Sequence, residues 1–99
     1  MAEQQNRPAA TPSVLIDNDR TLVTEWRFAP GAETGWHRHE MDYVVVPSLD
    51  GKLLIVTEGG VETTADLKAN EPYFRTIGVE HNVINANDFE FAFIEVEFR

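Results

Sequence analysis

Apolar and polar side chains alternate along most of this chain, and turn-forming residues cut the alternation at short intervals. The clearest stretch is residues 21–28. Leu22, Thr24, Trp26 and Phe28 fall on one face, and Val23, Glu25 and Arg27 on the other. A period of two marks a β-strand with unlike faces. Ala29-Pro30-Gly31 ends it, because proline and glycine punctuate regular structure. Shorter segments of the same kind follow. Residues 13–16 are closed by Asp17-Asn18-Asp19, and residues 36–46 run into a turn at 47–51. Residues 52–57 and 61–67 read as a hairpin across Glu58-Gly59-Gly60. Residues 71–75 and 82–85 flank a further turn, and residues 89–98 close the chain. One helical turn near 65–69 is the single expected departure. Many short strands at this spacing predict an all-β sandwich or barrel.

The last segment is apolar on both sides: Phe89, Phe91 and Phe93 on one, Ala92, Ile94, Val96 and Phe98 on the other. Such a strand either lies inside the sandwich or turns one face to another subunit. Residues 1–12 are polar and proline-containing, which predicts a flexible N-terminal arm ahead of one domain over 13–99. A domain of this size has a modest core, and a homodimer is expected to enlarge it.

A net charge of -9 argues against nucleic acid and anionic membranes, both of which need clustered Lys and Arg. Cysteine is absent, so neither disulfides nor thiolate chemistry operate. The polar start lacks the apolar segment of a secretory signal, and no apolar run approaches bilayer length. Cytoplasmic residence is the expectation.

The chemistry concentrates in three histidines: His37 and His39 in Gly35-Trp36-His37-Arg38-His39, and His81 in Gly78-Val79-Glu80-His81. Imidazole is the commonest protein ligand for metals. On a strand, positions i and i+2 share a face about 6.6 Å apart, so His37 and His39 can aim at one ion. His81 must arrive by strand pairing. Three neutral ligands leave coordination positions open, as a reactive site requires. Because the ligands must be deprotonated, metal occupancy is expected to fall as the pH drops toward about 6.

Tyr43 shares the histidine face if the strand is regular. Either its hydroxyl reaches the ion or a bound substrate, or its ring packs in the barrel mouth. Met41 shares that face as pocket lining, while Glu40 and Asp42 fall opposite and read as solvated. Trp26 and Phe28 are candidate pocket walls, or plain core, and Trp36 a candidate rim residue. Arg75, just before the His81 turn, is a candidate partner for a substrate carboxylate. Arg27 reads as a surface residue, and Asn85 as a fixer of a turn or sheet edge.

With these residues the chain resembles a small single-domain cupin. Gly31, His37, His39 and Gly51 match the first cupin motif, and Gly78, His81 and Asn85 the second. The resemblance implies a double-stranded β-helix barrel, or jelly roll. It also implies a divalent metal (Fe, Zn, Ni or Mn) on His37, His39 and His81. Three departures stand out: Asn70 replaces a glycine, Thr76 replaces a proline, and Tyr43 or Val44 replaces the first-motif glutamate. Loss of that glutamate makes the site similar to three-histidine cupins, among them non-haem iron dioxygenases. The implied function is a metal-dependent, oxygenase-like enzyme acting on a small organic acid. The alternatives are a non-redox isomerase or lyase, and a small-molecule binding module without catalysis. The stretches 25–31, 35–39 and 42–47 resemble the small cupins named for a role in β-alanine breakdown.

Overall fold

Alternation and punctuation together produce nine strands in the computed structural model, which describes residues 7–99. They are β1 (Thr11–Asp17), β2 (Thr21–Phe28), β3 (His37–Arg38), β4 (Asp42–Pro47), β5 (Gly51–Thr57), β6 (Val61–Leu67), β7 (Tyr73–Arg75), β8 (Glu80–Asn85) and β9 (Phe91–Phe98). One sheet has the order β1-β2-β9-β4-β7 and the other β3-β8-β5-β6. Every strand pairing is antiparallel. The expected all-β jelly-roll architecture is what the chain adopts. Among the described residues no helix is long and apolar enough to cross a membrane.

The core lies between the sheets, where period-two faces meet. Phe28, Phe91 and Leu53 are fully buried, and Val45, Val83 and Phe93 nearly so. Phe28 packs on Phe93 with ring centroids 5.4 Å apart. Each such side chain contributes about 1.5–3 kcal/mol by leaving water. Gly51 is needed for this packing, since a Cβ there would come within 2.7 Å of the Phe91 ring. Asn85, 2% exposed, ties the turns together. Its Nδ2 donates to the carbonyls of Phe28, Ala29 and Phe89, and its Oδ1 accepts from Asn87.

Three local expectations change. Residues 36–46 do not form one strand: β3 and β4 belong to different sheets, and 39–41 carries the chain between them. The cause is sideways bonding, in which the His39 amide donates to the Val79 carbonyl and the Gly78 amide to the His39 carbonyl. The helical turn near 65–69 is absent. Ala65 and Leu67 are half-buried and Asp66 exposed, so β6 continues through them, and the only helical element among the described residues is a 3-10 turn at Glu58–Gly60. The boundary of the N-terminal arm at residue 12 is not a structural one. Thr11 and Pro12 already belong to β1. Ala10 is buried, and its amide donates to the Glu33 carbonyl. Residues 1–6 of that arm lie outside the described residues.

Candidate metal centre

The three histidines meet because β3 pairs with β8 in a register that sets His37 directly opposite His81. Left-handed glycines shape both approaches, Gly35 at φ +87° and Gly78 at φ +100°, where other residues would be strained. The backbone bonds from His39 to the Gly78–Val79 turn bring the third ring in. The result is a tight triangle. His39 Nε2 lies 3.0 Å from His37 Nε2 and 3.2 Å from His81 Nε2.

The surroundings prepare these nitrogens. His37 Nδ1 lies 2.9 Å from the Gly35 carbonyl oxygen, which can only accept, so the proton sits on Nδ1 and the Nε2 lone pair is free. Gly35 itself is fixed by its amide donating to Asn82 Oδ1. Burial, reinforced by the neighbouring His37, lowers the pKa of His39 to about 3. Burial and His37 likewise lower that of His81 to about 4. Both rings are therefore neutral at physiological pH. With His39 and His81 in the same tautomer as His37, three lone pairs aim at one point and repel one another unless a cation sits among them. The donors thus fit a divalent metal ion, and they form a group able to hold one.

The triangle opens into a cavity of about 590 Å³ between the sheets. Trp26, Tyr43 and Arg75 line it. Tyr43 stacks on His39 with centroids 3.8 Å apart and planes 13° from parallel. Burial raises its hydroxyl pKa, with Glu95 adding to the effect. The Arg75 guanidinium lies 4.6 Å over the Tyr73 ring. Two expected wall residues are elsewhere. Phe28 is wholly buried in the core behind Trp26 and Phe93. Met41 sits on the bend between β3 and β4, where the strand alternation that placed it inward is lost. Trp36 is exposed and takes no part in the wall. Arg27 pairs with Glu25 and Glu90 at the surface, and Glu40 pairs with Arg38 there. Asp42, expected to be solvated, instead caps a turn by accepting from the Ile77 amide at 2.7 Å.

Two glutamates in the cavity were not anticipated. Glu95 and Glu97 continue the inward face of β9 in phase with Phe91 and Phe93. Glu95 Oε2 lies 4.0 Å from His39 Nε2, and Glu97 Oε2 lies 3.8 Å from His39 Nδ1. Burial raises the Glu95 pKa to about 7, with Glu97 adding to it and the indole of Trp26 opposing it by a hydrogen bond. Glu97 is also raised, by burial. Carrying the phase of Phe91 and Phe93 two positions further would have flagged both as inward charges.

The cupin domain profile matches residues 24–97. The β-alanine degradation protein BauB of Pseudomonas aeruginosa is 58% identical over 93 residues, covering 94% of this chain and 97% of that protein. The crystal structure of a cupin domain from Bordetella pertussis Tohama I superposes with a TM-score of 0.92. Its identity is 56%, over 97% of this chain and 99% of that one. A Klebsiella pneumoniae protein with a double-stranded β-helix domain shares the fold, with a TM-score of 0.73 at 22% identity, covering 94% of this chain and 79% of that one.

Proposed function

This chain belongs to the cupin family, and from that premise we propose that it is a metal-dependent enzyme of the oxygenase type acting on a small organic acid. The observation that carries the reading is the convergence of three Nε2 atoms in the wall of a cavity between the sheets. A divalent ion held there supplies Lewis acidity and open coordination positions and, if it is iron, electrons for dioxygen chemistry.

The protein's own residues do the rest. Arg75 presents a planar fork suited to a carboxylate, and its place in the cavity wall supports an acidic substrate. Trp26, Tyr73, Leu53, Ile55 and Phe93 give the cavity apolar walls that exclude bulk water from the reacting groups. Tyr43, held by its stack on His39, offers a hydroxyl whose proton stays in place at neutral pH. That suits it to donate a hydrogen bond to a substrate oxygen. The likeness to BauB supports a place in breakdown of a small amino acid such as β-alanine. Cytoplasmic residence belongs to the same proposal.

The test is anaerobic loading with iron, followed by dioxygen and a panel of small carboxylic acids. Oxygen uptake that requires both iron and an acid is the expected result. Turnover that persists under strict exclusion of oxygen would instead place the protein among non-redox isomerases or lyases. No turnover, with ligand binding indifferent to His81→Ala, would leave a binding module.

A second copy of the chain is part of the proposal. Ile16, Val23, Val96, Val44 and Phe74 stand in register across all five strands of the larger sheet, on the face turned from the core. Ile16 is 49% and Phe74 52% exposed. An apolar strip crossing a whole sheet matches itself about a twofold axis.

A further inference from the structure

We infer that Glu95 is the carboxylate that completes coordination of the ion held by His37, His39 and His81, supplying from β9 the negative charge that the cupin motif ordinarily draws from β4. The inference rests on the metal reading above.

The register shows how the charge has moved. The missing first-motif glutamate belongs at Tyr43 or Val44, on β4. β9 is the strand beside β4, with Glu97 opposite Tyr43 and Glu95 opposite Val45. Residues opposite one another in a ladder share a face, so both glutamates point where Tyr43 points, toward His39. The two are not equivalent. Glu95 stands 4.0 Å from His39 Nε2, the nitrogen that also meets His37 and His81; its carboxylate clusters with His39 and Glu97, so it would join the ion from the His39 side. Glu97 stands 3.8 Å from Nδ1, on the far side of the ring, where a carboxylate orients the imidazole.

Burial sharpens the assignment. Glu95 is 8% exposed and lines the cavity. Among the described residues its one basic neighbour within 4 Å is the imidazole of His39, which the ion itself would engage. The Trp26 indole beside it favours the charged form but carries no charge. A carboxylate is kept in such a place where a cation compensates it. Three neutral imidazoles and one carboxylate also restore the donor set and net charge of the usual four-ligand site, which the sequence motif lacks.

The test uses the full chain, freed of metal and titrated with Co²⁺ in competition with a chromogenic chelator, with no substrate present. Glu95→Gln keeps the side-chain volume and an acceptor for Trp26. It is expected to lower Co²⁺ affinity about tenfold or more and to shift the visible Co²⁺ bands, while the metal-free variant melts no lower than wild type. Glu97→Gln is expected to lower affinity less and to leave the bands in place. Should Glu95→Gln not fold, Glu95→Asp keeps the charge on a shorter arm, and a shifted Co²⁺ spectrum in it is the expected result. Wild-type affinity and spectrum in Glu95→Gln, or a wild-type spectrum in Glu95→Asp, would overturn the inference and leave the histidine site standing. Failure of the wild type itself to bind Co²⁺ would overturn the histidine site as well.

Discussion

His39 and Glu95 face each other across 4.0 Å and pull the stability of the metal-free protein in opposite directions with pH. The folded-state pKa values of His39 and His81, about 3 and about 4, lie below the ordinary imidazole value of 6.5. The unfolded chain therefore binds more protons between about pH 4 and 6.5, and these rings cost stability as the pH falls through that window. Glu95 is the reverse. Its pKa rises from 4.5 to about 7, so its contribution is fully present below pH 4.5 and is lost as the pH rises through 7. The melting temperature of metal-free Glu95→Gln should match wild type near pH 4.5 and exceed it by several degrees at pH 8. One kcal/mol corresponds to about 4–8 °C for a domain of this size. Thermal melts at the two pH values check this, and a gap that does not change with pH would contradict it. Tyr43→Phe keeps the stack on His39 and removes only the hydroxyl. We expect unchanged metal affinity and a kcat about 100-fold lower, as for loss of one hydrogen-bond donor to developing charge; an unchanged kcat would assign Tyr43 to packing alone. At this scale the histidines were legible because a rare residue type stood at ligand spacing. Glu95 and Glu97 were not, because glutamate on an alternating strand ordinarily faces water.

Among the elements, the turn that joins β8 to β9 carries the heaviest polar load. Asn85 Nδ2 serves three carbonyls, and its Oδ1 serves Asn87, all around a side chain 2% exposed. Asn85→Ala removes these bonds together, sparing only the Ala32 amide bond to the Ala29 carbonyl and the Asn87 bond to the Lys52 carbonyl, and should destabilise the protein by about 2–4 kcal/mol, read as a lower urea midpoint with an unchanged slope. A loss below about 0.5 kcal/mol would mean that water replaces the amide. The strands themselves were readable from alternation, and β2 fell where the pattern put it. The break within 36–46 was not readable. It depends on His39 bonding sideways to Gly78 and Val79, a contact made across some forty residues of chain. Met41 left the pocket wall for that reason. Phe28 was misplaced for a different one: an inward face serves both core and cavity, and periodicity does not divide them.

At the scale of the whole molecule, the fold does two jobs with one pair of sheets. The inner faces enclose the core at one end and the histidine-lined cavity at the other. The outer face of the larger sheet presents the ladder from Ile16 to Phe74. β9 is apolar on both sides, since Phe91 and Phe93 face inward while Ile94 and Val96 face outward. Light scattering after gel filtration should give the mass of a dimer for the wild type. Val44→Glu, which places a charge in the ladder between Val96 and Phe74, should give the mass of a monomer. A wild-type monomer, or an unaffected dimer in the variant, would remove the pairing from the account. The claim on which everything else stands is that three Nε2 atoms hold one ion. Elemental analysis of protein purified without chelators, then reloaded with iron, zinc, nickel or manganese, measures it directly. One ion per wild-type chain and none in a folded His81→Ala variant is the predicted result. A wild-type chain that takes up none of the four metals, or a His81→Ala chain that binds as wild type does, would contradict it.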